Sequence, residues 1–412
     1  MKDILIASYD MEIGGVERSL ISLLENFDYE TYKVDLFLHR HQGDFFPLLP
    51  QQVNLLEECK PYTTFRKSIS ETVKDGYIGI GCSRVLSKIH AELDGKRKKI
   101  KEPGYIQMQL MWQYTLPFLP KVKKEYDVAI SYLWPHDFVA EKVAAKKKIA
   151  WIHTDYSTIT TNVKRDIKMW SRFDYIIAVS DACKDAFLQK YPMLEKKVSV
   201  MENLTSPQFI KKMADKDVPF PMDSDPRFKI VTVARLSHAK GIDNAILAMK
   251  KLKEKGYNDI AWYVVGYGGD EAMLRKMIQE NGVEDCFILL GKKVNPYPYM
   301  KAADLYVQPS RYEGKAVTVV EAQILAIPVL ITNYKTAASQ VREGFDGSII
   351  GELSFNGIAK SIEELYLQKE RRETIIKNCL SLSFGNEKEI NRLYHLIKEG
   401  SEISENMYDN MP

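Results

Sequence analysis

Residues 309–328 read PSRYEGKAVTVVEAQILAIP. Upstream, ADLYVQPS reads as a strand, and downstream IPVLIT reads as another, so the stretch is strand, glycine loop, helix, strand. It holds two glutamates, Glu313 and Glu321, with Gly314 directly after the first. If Gly314 closes a loop and the helix starts near Ala316 or Val317, free N–H groups at the helix start face an anion, which makes a phosphate cradle. The other reading is a buried helix whose carboxylates favour its macrodipole. Local sequence leaves both open.

Moving upstream, the second half repeats the same alternation. FKIVTVA at 228–234, AWYVVG, CFILLG and SIIG near 348–351 are strands. DNAILAMKKLKEKG and GDEAMLRKMIQENG are helices ending at Gly256 and Gly282. The first half opens in the same way, with DILIAS as strand, Gly14-Gly15 as loop, VERSLISLLENF as helix and KVDLFL as strand. Further strands fall at 127–132, 148–152, 175–179 and 197–201, and SDACKDAFLQKY is a serine-capped helix. Amphipathic helices are expected around 83–93 and 105–119. Strands alternating with helices predict two Rossmann-like, doubly wound α/β domains.

The segment 203–227 has four prolines and little periodicity. It sets the expected limits: a first domain at 1–205, joined by a C-terminal helix at about 385–412, a linker at 206–227, and a second domain at 228–384. Asp215 with Asp217, and Asp223 with Asp225, form Asp-x-Asp patterns, but they lie in this polar segment and receive no metal chemistry.

Composition excludes several classes. With 58 Lys and Arg against 55 Asp and Glu, the net charge of +3 does not indicate a nucleic-acid binder. Five scattered cysteines without a CxxC pair read as reduced thiols. Neither a signal h-region nor an apolar run long enough for a transmembrane helix is present, so a cytoplasmic location is expected. Basic residues cluster in the first half, notably KRKKIK at 96–101. That cluster is either a solvated face or an attraction to an anionic membrane.

Candidate chemistry collects at strand ends. His153 follows KIAWI, and Arg235 and Lys240 follow FKIVTVA, where two cations suit a diphosphate. GYGG at 266–269 is an incomplete dinucleotide fingerprint. Taken together, Gly14-Gly15, His153, Arg235 with Lys240-Gly241, the VGYG turn and the PSRYEG…VVEA segment resemble the retaining GT-B glycosyltransferases of family 4. The resemblance covers nearly the whole chain and implies a nucleotide-diphosphate sugar lying in a cleft between the facing domains. It implies that Arg235 and Lys240 contact the pyrophosphate and that Gly314, Lys315, Ala316 and Val317 form the helix N-terminus beside it. Glu321 would meet the ribose, Glu313 and His153 the donor sugar, and the base would be read near Val294. Gly14 and Gly15 would approach the phosphates from the first domain. It also implies that no metal is needed and that the acceptor is a glycan or lipid-linked sugar, with a peripheral contact to an anionic membrane.

Two departures stand out. The loop after Glu313 reads Gly-Lys-Ala where relatives often have a second glycine, and TNYKTAASQ at 332–340 has Gln340 where relatives often have a glutamate. A sugar-nucleotide epimerase and a non-catalytic subunit share the architecture and are the competing readings.

Overall fold

The structure, a computed structural model, describes residues 1–12, 14–98, 104–154, 156–217, 222–313 and 316–398. The chain divides into two compact units, Met1–Thr205 with Asn386–Pro412, and Ser206–Gly385. No helix among the described residues is long and apolar enough to cross a membrane.

The first unit is built on a seven-stranded parallel sheet of β1 (Lys2–Ser8), β2 (Tyr32–Leu38), β3 (Asn54–Leu55), β4 (Glu125–Ser131), β5 (Ala144–Ile152), β6 (Tyr175–Ala178) and β7 (Val198–Val200), in the order β3-β2-β1-β4-β5-β6-β7. The central parts of its strands are apolar, and Ile4, Leu5, Ile6, Ile149, Ile176 and Ile177 are fully buried. Strands apolar on both faces need helices on both faces, which parallel crossover connections supply. The second unit has six parallel strands, β8 (Phe228–Val233), β9 (Ile260–Val265), β10 (Phe287–Gly291), β11 (Leu305–Gln308), β12 (Val329–Thr332) and β13 (Ser348–Ile350), in the order β10-β9-β8-β11-β12-β13. The expected doubly wound fold class is the one observed.

In each sheet the chain order reverses once, between β1 and β4 and between β8 and β11. At such a switch point the loops leaving the two strands diverge, and a crevice opens at the carboxyl ends. The loops carrying Arg235 and Lys240 on one side, and Glu313 on the other, leave β8 and β11. Helix ends follow the expected chemistry: Ser180 Oγ accepts from Cys183 N at 3.2 Å, and Gly256 and Gly282 take positive φ of 94° and 62°.

The structure differs from expectation in one region. Residues 203–227, read as a linker, contain the helix Pro207–Ala214, which packs within the second unit. Phe209 and Ile210 are buried, and Asn295 Nδ2 donates to Met213 O at 2.7 Å. Proline read as a breaker here sits at the first helical turn, where its missing N–H costs nothing, after the Ser206 cap. Asp215 pairs with Lys301 and Asp225 with Arg227, so both are structural partners. The helices expected around 83–93 and 105–119 are present as Ile78–Lys98 and Gly104–Thr115. The tail after 398, and residues 99–101 of the basic run, lie outside the described residues.

The last helix, Ile390–Lys398, belongs to the first unit. Tyr394 stacks on Tyr32 with centroids 5.1 Å apart and accepts from Asp28 N through its hydroxyl at 2.7 Å. Lys2 Nζ donates to Ile397 O at 3.2 Å.

Candidate functional site

In the second unit the site is assembled by loop-on-loop packing at the switch point. Gly241 has φ +65°, and a Cβ there would lie 2.0 Å from Pro309 O, so only glycine lets the two loops approach. Arg311 staples the same junction. Its N–H donates to Ala239 O at 2.8 Å, and its guanidinium binds Asp243 through two bonds of 2.7 and 2.6 Å. The GYGG turn seats the β8 loop from the other side, since a Cβ on Gly266 or Gly268 would fall 1.8 Å from Ala234 O or 2.1 Å from Leu236 O. Those glycines serve backbone packing.

Lys240 and Glu313, assigned separate partners from sequence, meet each other at 2.6 Å. Glu313 Oε1 also accepts from Ser310 Oγ at 2.7 Å and Gln308 Nε2 at 3.0 Å. All three donors converge on one oxygen, and no described residue donates to Oε2. The carboxylate is therefore fixed in place through Oε1. Lys240 has three N–H donors and gives one to Glu313, so it retains donors for an anion. Arg235 is exposed, and its guanidinium has no hydrogen-bond or ion-pair partner among the described residues.

Gly314 and Lys315 lie outside the described residues. The helix Val317–Ile324 begins at the cap residue Ala316. Ala316 N–H is not free as expected, because Gln340 Oε1 accepts it at 3.0 Å, while Gln340 Nε2 donates to Ala316 O at 3.0 Å. The amides at Val317 and Thr318 occupy the first helical positions, where no intrahelical acceptor exists. Gln340 is the residue that sequence reasoning left without a role. Its signal was an amide in the loop after β12, in a third strand-end loop at the same sheet edge.

Glu321 is 1% exposed and accepts from Tyr297 OH at 2.9 Å. Val294 is partly exposed on the loop after β10, beside Lys292, whose ammonium lies 5.6 Å from the Tyr267 ring centroid. Beneath the loops, Tyr306 OH donates to Thr318 Oγ1 at 2.7 Å, and burial pushes its pKa well above the ordinary tyrosine value. These strand-end groups therefore form one buried polar network under the Glu313 carboxylate.

In the first unit, Gly14 caps the helix Gly15–Glu25 in extended backbone, φ −160°. The Glu17 carboxylate fills the space where a Gly14 Cβ would project, 2.1 Å away, and burial raises the Glu17 pKa. A Cβ on Gly15 would meet nothing within 4 Å. Gly15 thus fronts open space, whereas Gly14 is covered by the Glu17 side chain. His153 sits one residue past β5, its ring centroid 4.9 Å from that of Tyr132. Both its nitrogens are buried without a geometric partner among the described residues. Burial lowers its pKa to about 4, opposed only in part by the Tyr132 main chain. Its imidazole is therefore held neutral near pH 7.

Residues 217–380 match the family model of glycosyl transferases group 1. The amylovoran biosynthesis glycosyltransferase AmsK of Erwinia amylovora is 30% identical over 35% of this chain and 36% of its own length. The capsular polysaccharide biosynthesis glycosyltransferase CapM of Staphylococcus aureus is 29% identical over 49% of this chain and 55% of its own. The chain thus spans between 36% and 55% of the length of these two relatives. Anabaena Alr3699/HepE, solved in complex with UDP and glucose, superimposes with a TM-score of 0.63 at 18% identity, covering 96% of this chain and 99% of that one. By these likenesses the chain has the two-domain GT-B fold, and its residues 217–380 are similar to the glycosyl transferases group 1 domain.

Proposed function

We propose that this chain is a retaining, metal-independent glycosyltransferase that moves a hexose-type sugar from a nucleotide-diphosphate sugar to a glycan or lipid-linked acceptor, in cell-surface polysaccharide synthesis. We place it in the cytoplasm, peripheral at the inner face of the membrane. The observation that carries the reading is the Glu313 carboxylate, anchored through Oε1 by Lys240, Ser310 and Gln308 with no described residue donating to Oε2, while Arg235, in the same loop as Lys240, has no side-chain partner among the described residues. The names of AmsK and CapM support the polysaccharide role, and the UDP and glucose in the HepE complex support the donor class.

In the reaction, the bond from the anomeric carbon to the phosphate oxygen breaks and the acceptor oxygen bonds to that carbon on the same face. The acceptor proton passes to the departing phosphate. Negative charge grows on the diphosphate in the transition state, so cations fixed in advance beside it lower the barrier. Arg235 and Lys240 supply that charge. Glu313 positions the sugar rather than attacking it, because three donors hold its carboxylate in place.

The test is a thermal-shift screen of nucleoside diphosphates and their sugars, since a ligand of the native state raises the midpoint. At least one diphosphate should raise it, and Arg235→Ala should abolish the rise while leaving the unliganded midpoint in place. An unchanged rise in both Arg235→Ala and Lys240→Ala would mean that the phosphate site lies elsewhere. Conversion of the donor to its epimer without acceptor would replace transfer with epimerisation.

A further inference from the structure

The loop after β12 grips the Glu313 segment at two points. Thr336 Oγ1 donates to Glu313 O at 3.0 Å. Gln340 takes Ala316, the cap of the helix Val317–Ile324, by both of its main-chain polar groups: Oε1 accepts from Ala316 N–H at 3.0 Å, and Nε2 donates to Ala316 O at 3.0 Å. Gln340 is itself placed from the same helix, because the buried Gln323 donates through Nε2 to Gln340 O at 3.2 Å. The helix thus fixes the Gln340 main chain, and the Gln340 side chain fixes the helix cap.

These partners specify the chemistry of position 340. Two donors face Oε1, Ala316 N–H and Tyr334 OH, the latter at 2.9 Å, and one acceptor, Ala316 O, faces Nε2. An amide satisfies all three, whereas a carboxylate only accepts and sets an oxygen against the Ala316 carbonyl. Charge matters as well as shape. Tyr334 lies within electrostatic reach of Glu313, whose charge adds to burial in raising the Tyr334 pKa. A carboxylate bonded to Tyr334 would be a second anion near Glu313, and the cation two residues on, Arg342, is committed to Asp346 at 2.6 Å.

We propose that Gln340 is a positioning residue of the donor site: its neutral amide pins Ala316, and so sets the helix start relative to Glu313, without adding negative charge where a diphosphate binds. The hydrogen bonds stand on the geometry alone. Their service to a diphosphate rests on the proposed transfer, in which the donor lies beside Lys240 and Glu313.

The experiment has two arms on the full chain. The first needs no ligand: by NMR of protein isotopically labelled at alanine nitrogen, the Ala316 amide should exchange with solvent about tenfold faster in Gln340→Ala than in wild type, since its acceptor is gone. The second is calorimetric binding of inorganic pyrophosphate. Wild type should bind it, Gln340→Ala roughly tenfold more weakly, and Gln340→Glu more weakly still at about pH 8. Ala316 O and Glu313 favour the neutral form of the introduced carboxyl, which takes up a proton as pH falls and then donates to Ala316 O as the amide does. The deficit of Gln340→Glu against wild type should therefore shrink several-fold between about pH 8 and about pH 5, while that of Gln340→Ala stays flat; the titration of pyrophosphate cancels in both ratios. Gln340→Glu keeps the side-chain length and two of the three bonds, which guards against a fold lost in the alanine variant. An Ala316 amide that exchanges alike in wild type and Gln340→Ala would overturn the proposal, as would equal pyrophosphate affinity in all three proteins or a pH-independent deficit in Gln340→Glu. Wild type that binds no pyrophosphate would remove the diphosphate site of the transfer reading and this role of Gln340 with it. Binding by wild type with no difference among the variants would instead spare that reading and sink the role of Gln340 alone.

Discussion

Glu313 and Glu321 carry the same charge with seven residues between them, and their surroundings give them different chemistry. Glu313 ends a loop and is held by Lys240, Ser310 and Gln308, whereas Glu321 lies inside a helix under Tyr297. Sequence named both glutamates but not the donors that orient them, because Gln308 and Ser310 become partners only when β11 ends and the chain turns back. Gln340 was illegible for the same reason: its partner, Ala316, is 24 residues away and is reached through the β12 crossover. His153 was legible as a strand-end residue, but its burial was not. That burial has a pH signature. The folded pKa of about 4 lies below the ordinary 6.5, so the stability is fully present above about pH 6.5 and is lost as pH falls towards 4, where the unfolded chain takes the proton first. The gap corresponds to at most about 3 kcal/mol. His39 and His136 act in the same direction, lowered by burial to about 4 and about 3. Asp137 acts in the opposite one: burial and nearby Asp166 raise it to about 7, so stability is lost as pH rises from 3.8 towards 7. The bare profile therefore mixes signs, and the difference between wild type and His153→Gln isolates one group. By urea unfolding, wild type should lose up to about 3 kcal/mol relative to the variant between pH 7 and pH 4. Parallel pH profiles would mean that the imidazole is not held neutral.

At the scale of elements, the strands were the most legible, because a buried parallel strand is a short apolar run and nothing else in the chain reads that way. Short helices were not. Pro207–Ala214 has eight residues and a proline at its start, and only packing against the second unit selects helix over linker. The junction of the β8 and β11 loops shows what periodicity omits. Gly241 is conspicuous in sequence only as a residue after Lys240, yet its φ of +65° and its 2.0 Å approach to Pro309 O make it the hinge on which the site closes. Gly241→Ala should therefore cost about 1–2 kcal/mol in backbone strain alone, with a further cost as Pro309 is pushed away. Because the displaced loop carries Glu313, the variant should fold but lose most of its thermal response to nucleoside diphosphates. A variant with wild-type stability and response would show that the two loops can separate without harm.

The whole chain does not fold in sequence order, since the first unit is completed by residues from Asn386 onward, after the second unit has been made. The helix Ile390–Lys398 supplies Ile390, Leu393 and Ile397, which are 6%, 0% and 2% exposed, and Tyr394, stacked on Tyr32 and edge-on to Phe27 at 5.6 Å. Burial of an apolar side chain of this size contributes about 1.5–3 kcal/mol, so the three aliphatic residues alone contribute on the order of 5–9 kcal/mol. That is comparable to the whole stability of a typical domain, about 5–15 kcal/mol, and it is an upper figure because the unfolded chain already hides some apolar surface. A chain ending at Gly385 should thus keep a second unit with its own core and lose a stable first unit. Two probes separate the outcomes. Near-ultraviolet circular dichroism should lose the signal of the first-unit aromatics Trp112, Trp134, Trp151 and Trp170, while the transition carried by Trp262, in the core of the second unit, remains. Unchanged signals from both would show that the returning helix adds little to the first unit. Loss of both would show that the second unit, despite a sheet and core of its own, depends on the first to fold.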